Sequence, residues 1–196
     1  MNKLSAAVIA GGMSKRYGSD KTLALLEGKP LISWAVDGAR ICGARIFVVS
    51  KDSGKFSFVK DVEFVEDKYD IQCPMVGIVT LFNHTTDDAF FIISADMPLF
   101  PFASVNTMYE AFKGFDAAVP DIGGRMYPCA AIYHRRTAAI FEKMLKEGDY
   151  KLMNAFDKLN VIKLGEDFFT PHDKNMTGFI NANTPSDLEM IAKRKI

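Results

Sequence analysis

The chain has 196 residues, 48% of them hydrophobic, and carries Lys+Arg and Asp+Glu in equal number, 24 of each. That length buries a full core as one domain, residues 1–196, and the balanced charge offers no global field to attract nucleic acid or an anionic membrane surface. Three widely separated cysteines, Cys42, Cys73 and Cys129, argue against a disulfide framework and against a clustered zinc or iron–sulfur centre, and a cytoplasmic setting follows.

In chain order, Lys3 and the run Leu4 to Ala10 are at the short limit of a secretory h-region and read instead as a first strand. Ala6, Ala7, Val8, Ile9 and Ala10 are apolar throughout, as in a strand buried on both faces of a parallel sheet. The chain then breaks at Gly11-Gly12 and enters a loop carrying Lys15, Arg16 and Lys21. Glycine lets a diphosphate approach the backbone N–H groups, and the cations supply positive charge. A strand-to-helix connection with solvated basic residues has the same composition, so both readings stand for the glycine pair alone. The P-loop pattern fails because Lys21 lies beyond Gly18 rather than next to it, and the dinucleotide pattern G-x-G-x-x-G fails because the first glycines are adjacent.

Further β-rich runs occur at Ile46 to Val49, Val62 to Val65, Phe90 to Ile93, Ala117 to Val119 and Ala130 to Tyr133. Segments with helical spacing fall at Leu31 to Ile41, Val76 to Phe82, Val105 to Phe112, Thr137 to Leu145, Leu152 to Leu159 and Ser186 to Lys195. This alternation predicts an α/β fold with a three-layer, doubly wound, mostly parallel sheet. Glu166 to Thr177 reads as the one loosely structured stretch, a mobile loop over the site. The longest apolar run, Ala89 to Ala95, is stopped by Asp96, well short of the roughly 20 residues that cross a bilayer. The sixteen phenylalanines read as core.

Open α/β sheets bind ligands outside the carboxyl ends of their strands. Four polar places follow apolar runs: the glycine loop, Ser50, Glu66-Asp67 and Asp96, and they should converge. Asp96, with Pro98 two residues on, is placed to hold a hard cation such as magnesium; an Asp near a proline equally serves a local turn. Asn181 and Asn183 would point to one side of a short extended piece, where an amide reaches the metal or phosphates, while Asn183 or Thr184 also suits the start of the last helix.

These motifs resemble the molybdenum cofactor guanylyltransferases, a family of nucleotidylyltransferases on a Rossmann-like sheet. The resemblance spans nearly the whole chain. It rests on Ile9-Ala10-Gly11-Gly12 with Ser14, Arg16, Gly18, Asp20 and Lys21, on Gly28-Lys29-Pro30-Leu31, on Glu66-Asp67, on Pro74 with Gly77, on Asp96-Met97-Pro98 and on Asn181 to Leu188. Departures from the family pattern are Ile9, Tyr17, Ser50 and Cys73.

The resemblance implies transfer of GMP from GTP to the phosphate of molybdenum-molybdopterin, giving the guanine dinucleotide cofactor and diphosphate. Ile9, Ala10, Gly11, Gly12, Ser50 and Asp67 would meet the nucleotide, Arg16 and Lys21 the phosphates, and Asp96 with Asn181 and Asn183 the Mg2+. Arg125 and Lys151 would lie on the acceptor side, although each also fits an exposed turn residue. Cofactor-delivery proteins and molybdoenzymes are the further partners implied, with no nucleic acid and no membrane. A phosphate monoester is already anionic, so no catalytic Ser, Cys or His is needed, in keeping with the scattered His84, His134 and His172. Lys21 reads as an exposed loop lysine whose loss weakens GTP binding and leaves the melting temperature alone. Two other functions share the core motifs: a transferase using CTP or another phosphorylated acceptor, and a nucleotide-binding sensor without turnover.

Overall fold

The structure is a computed structural model that describes residues 4–11 and 20–194. Its strands are β1 (Leu4–Ile9), β2 (Leu25–Leu26), β3 (Lys29–Pro30), β4 (Gly43–Ser50), β5 (Glu63–Glu66), β6 (Ala89–Ser94), β7 (Ala117–Ile122), β8 (Arg125–Met126), β9 (Ala130–His134) and β10 (Val161–Leu164). The α-helices are α1 (Leu31–Ala39), α2 (Pro74–His84), α3 (Val105–Phe112), α4 (Ala138–Lys146), α5 (Glu166–Phe169) and α6 (Pro185–Arg194).

Among the described residues the main sheet runs β10-β7-β9-β6-β1-β4-β5, with β8 hairpinned on β7. The pairs β1/β4, β1/β6, β4/β5 and β7/β10 are parallel, and β9 lies antiparallel between β6 and β7. The carboxyl ends of β1, β4, β5 and β6 therefore share one edge. That edge also receives the amino end of β9 and the β7–β8 turn.

All six residues of β1 are buried, and its alternation separates two cores. Ala6 and Val8 face α1 and α3, together with Ile32, Val36, Val105 and Met108. Ala7 and Ile9 face α2 and α4, together with Met75, Val79, Phe141 and Met144. Helices on both faces account for a strand with no polar alternation. Pro74 opens α2 at a position where its missing N–H costs no helical hydrogen bond.

A third, smaller cluster positions the site. Leu26 of the β2–β3 hairpin and Leu31 pack against Ala182 and Ile191, bringing the segment before α6 alongside the turn that holds Lys21. The Trp34 indole donates to the Leu26 carbonyl at 3.0 Å and fixes the hairpin on α1.

Two expectations are corrected. Leu152 to Leu159 is a 3-10 stretch, Leu152–Lys158, rather than an α-helix. Its apolar pair Leu152 and Ala155, three residues apart, is buried, and the two positions eclipse in a threefold helix. The segment Glu166 to Thr177 is not loose: α5 buries Phe169 in the core, and Asp173 accepts hydrogen bonds from the Thr177 N–H and hydroxyl at 3.0 and 3.1 Å and from the Gly178 N–H at 2.7 Å.

Candidate active site

Asp20 stands in extended conformation ahead of a 3-10 turn, Lys21–Leu23, and caps it. Its Oδ1 accepts from the Thr22 N–H at 3.0 Å and the Thr22 hydroxyl at 2.6 Å, and its Oδ2 accepts from the Lys55 ammonium. Burial would raise the Asp20 pKa, but the hydrogen bonds from Lys55 and Thr22 outweigh it, so the carboxyl titrates below its usual range. The capped turn presents Lys21, whose Nζ donates to Asp96 Oδ2 at 2.6 Å and to Asn183 Oδ1 at 2.9 Å. The Lys21 side chain is only 19% exposed, which corrects its reading as an exposed loop residue.

Asp96 follows β6 and is buried, at 8% exposure. Its carbonyl accepts from the Ala182 N–H at 2.8 Å, locking the Asn181–Asn183 segment beside it. Asp96 Oδ1 and Asn181 Oδ1 are both buried without a hydrogen-bond partner among the described residues. Two such acceptors facing no donor are costly unless something electropositive completes them. A local turn role does not account for Asp96, since its side chain accepts from Lys21 and caps no backbone N–H among the described residues.

The start of α6 is satisfied by other residues. Asp187 accepts from the Asn183 and Thr184 N–H groups at 2.9 and 2.8 Å, and the Thr184 hydroxyl accepts from the Asp187 N–H at 3.2 Å. This reciprocal cap leaves the Asn183 amide for Lys21.

Next to the cluster, a cleft of about 480 Å³, open to solvent, is lined by Ile9, Gly11, Val49, Ser50, Lys51, Asp67, Gln72, Cys73, Pro74 and Gly77. A Cβ on Gly11 would meet nothing within 4 Å, so the backbone there borders open space. A Cβ on Gly77 would lie 3.1 Å from Ile9 Cδ1, and the glycine lets α2 approach β1 at the cleft wall. Ala10 donates to the Val49 carbonyl at 2.9 Å and Ala95 to the Ile9 carbonyl at 3.3 Å, which ties the cleft and the Asp96 turn to the same strand end.

The structure thus brings Ile9, Ala10, Gly11, Ser50 and Asp67 to one side and Lys21, Asp96, Asn181 and Asn183 to the other. Ser50 and Asp67 are engaged locally. The Ser50 hydroxyl exchanges hydrogen bonds with the Asp52 backbone at 3.1 and 3.2 Å, and Asp67 Oδ1 accepts from the Tyr69 N–H at 3.0 Å. Gly12 and Arg16 lie outside the described residues.

Arg125 is exposed on the β7–β8 turn with its guanidinium 4.9 Å from the Tyr127 ring centre, and that ring packs on Phe179 at 5.0 Å, two residues before Asn181. No contact among the described residues joins Lys151 to the Lys21–Asp96 cluster. The Cys129 thiol is pushed up to about 12 by burial, then by the nearby Asp96 and Cys73, and is inert as a nucleophile.

Sequence reasoning did not pick out Lys51, Gln72 or Lys55. Lys51 carried a usable signal, since it directly follows a strand-end polar residue. Gln72 and Lys55 have none, because their places depend on how α2 and the turn after β4 fold back.

A sheet edge of this kind, with a lysine–carboxylate–amide cluster beside a glycine-walled cleft, defines a nucleotide-handling transferase of the α/β class. The sequence profile of the MobA-like NTP transferase domain matches residues 6–161, and the chain belongs to that family.

A probable molybdenum cofactor guanylyltransferase of Geobacillus sp. (strain WCH70) is 32% identical over 97% of this chain and 99% of its own. One of Natranaerobius thermophilus is 27% identical over 98% and 96%. The crystal structure of molybdopterin-guanine dinucleotide biosynthesis protein A from Archaeoglobus fulgidus superposes with a TM-score of 0.85 at 26% identity, covering 98% of each chain.

Proposed function

We propose that this chain transfers GMP from GTP to the terminal phosphate of molybdopterin, forming the molybdopterin guanine dinucleotide cofactor and diphosphate in the cytoplasm. The observation that carries the reading is the Lys21–Asp96 pair at 2.6 Å, with the second oxygen of Asp96 buried and unpaired among the described residues, beside a cleft at Gly11. One oxygen of the acceptor phosphate bonds to the α-phosphorus of GTP, and the bond from that phosphorus to the bridging oxygen breaks, its electron pair leaving with diphosphate. The acceptor oxygen is already anionic, so the protein's task is positioning and charge neutralisation.

Lys21 is placed to meet phosphate oxygens as charge builds on the leaving group. Ile9, Gly11, Ser50 and Asp67 border the cleft that takes the nucleoside, Ala10 joins the first two in the chain, and Gly12 and Arg16 are the further candidates from the sequence. The unpaired oxygens of Asp96 and Asn181 fit Mg2+, a hard cation that takes one or two carboxylates and fills its other positions with water and phosphate oxygens. Asn183 is the third candidate ligand, its oxygen shared with Lys21. When bound, the ion supplies charge neutralisation across the phosphates. Arg125, stacked beside the segment leading to Asn181, is the acceptor-side cation that the geometry favours, and Lys151 is the weaker candidate.

The test pairs two measurements: binding of GTP, CTP, ATP and UTP with magnesium, and diphosphate release from GTP with and without molybdopterin. GTP should bind most tightly, and release should require the acceptor. Tighter CTP binding would make the enzyme a cytidylyltransferase, and binding without acceptor-dependent release would make the chain a sensor.

A further inference from the structure

Lys55 lies 35 positions from Asp20 in the chain and shares no motif with it, yet the two side chains pair. Its turn, Gly54–Phe56, is anchored twice. Gly54 donates to Asp52 Oδ1 at 3.0 Å just beyond the cleft residue Ser50, and the Lys55 ammonium sits 4.8 Å from the ring centre of fully buried Phe56. The pair satisfies the second oxygen of Asp20, the first being taken by Thr22.

Lys21 holds Asp96, and its immediate neighbour in the chain is a second carboxylate, Asp20. Without Lys55, the second oxygen of Asp20 would lack its cation one residue from Lys21, and a charge so placed draws on the neighbouring ammonium. The arrangement Lys55⁺–Asp20⁻ and Lys21⁺–Asp96⁻ removes that competition.

We infer that Lys55 is a positioning residue: by occupying Asp20 it leaves Lys21 directed at Asp96, Asn183 and the incoming phosphates. This rests on the transfer reaction proposed above, and Lys55 itself touches no substrate.

The experiment compares wild type, Lys55→Ala, Lys55→Arg, Asp20→Asn and the Asp20→Asn/Lys55→Ala double variant in GMP transfer. Lys21 is followed by lysine-selective NMR without substrate. Lys55→Ala should lower kcat about ten- to thirtyfold with a smaller change in KM, and shift the Lys21 resonance. Lys55→Arg should restore most of the rate. The double variant should recover both rate and resonance, because the competing carboxylate is gone while Asn still caps the Thr22 N–H.

A rate for Lys55→Ala within twofold of wild type overturns the inference. So does a double variant that stays as slow as Lys55→Ala, which would mean that Lys55 meets substrate directly. If wild type itself transfers no GMP, the proposed reaction fails, and the NMR comparison alone decides the positioning role: an unmoved Lys21 signal in Lys55→Ala rejects it.

Discussion

Asp96 has one oxygen held by a cation and the other buried with no partner among the described residues, whereas Asp20, 76 positions earlier, has both oxygens bound. The first is the carboxylate proposed to hold the metal, and the second is a carboxylate used to build a turn. Asp96→Asn should therefore lose roughly 10²- to 10³-fold in magnesium-dependent turnover. Its fold should survive, because the Asn amide oxygen can still accept from the Lys21 ammonium in place of the carboxylate. Full activity in that variant would remove Asp96 from the metal site. Lys21→Ala should behave differently. It strips Asp96 of its one side-chain partner among the described residues, in a pair that is mostly out of water, so a fall in Tm of about 2–8 °C should accompany weakened GTP binding. An unchanged Tm with lost binding would return Lys21 to the exposed role that its loop sequence suggests.

The candidate residues were legible because each sits next to a recognisable break in an apolar run. Their partnerships were not. Nothing in the spacing of Thr184 and Asp187 says that they cap α6 so that Asn183 is released to Lys21, and nothing in Lys55 says that it reaches back to Asp20. Such pairings follow from side-chain packing between segments far apart in the chain.

Among the elements, the stretch from α5 to α6 matters most for the site, because it delivers Asn181 and Asn183. Its anchor is Gly178, where a Cβ would lie 2.3 Å from the Leu99 carbonyl oxygen and 2.8 Å from Pro101 Cδ, directly behind the Asp96 turn. Gly178→Ala should cost roughly 1–3 kcal/mol by overpacking and lower turnover as well, since the Ala182–Asp96 contact shifts with it. Gly165, with open space around its would-be Cβ and no positive φ, is the control: Gly165→Ala should melt within about 2 °C of wild type. Equal melting of the two variants would deny the clamp.

The sequence signals for elements succeeded where apolar periodicity was long. The α3 span agrees end to end with its predicted bounds, and α1 differs only at its close, where the chain tightens into a 3-10 turn ended by Gly43 at φ 67°. They failed for β2, β3 and β8, which have two residues each and no period to detect, and for β10, an edge strand that is buried at Leu164 alone. The order within Glu166 to Thr177 was hidden because it comes from a helix of four residues that buries Phe169 and from one aspartate, Asp173, that accepts from Thr177 and Gly178.

At the scale of the molecule, the sheet edge opposite the site is held by Asp116. It accepts from Arg136 and, at 2.8 Å, from the Asn160 N–H, joining the starts of β7 and β10 to the end of β9. Burial would raise its pKa, but Arg136 and the Asn160 N–H outweigh this and leave it below the usual carboxylate range. A carboxyl lowered on folding contributes stability that is complete above the unfolded value of about 3.9 and is lost as pH falls through the folded one. The Tm gap between wild type and Asp116→Asn should accordingly be constant from pH 7 to about 5 and narrow towards pH 3. A gap of the same size at pH 3 would show that Asp116 does not titrate in this range.

The doubly wound plan was the most legible property of all, because runs with no polar face are stable only between two helical layers. The antiparallel insertion of β9 was not, since an apolar strand reads the same in either direction.

Lys21 and Asn183 are separated by 162 positions, and the strand carrying Asp96 lies between them in the chain. A growing polypeptide can therefore finish most of its sheet and still possess no working centre. Only when the last helix docks does the amide arrive to steady the lysine. A chain cut before Asn183 would keep most of its sheet and lose the hydrogen bond that holds the lysine.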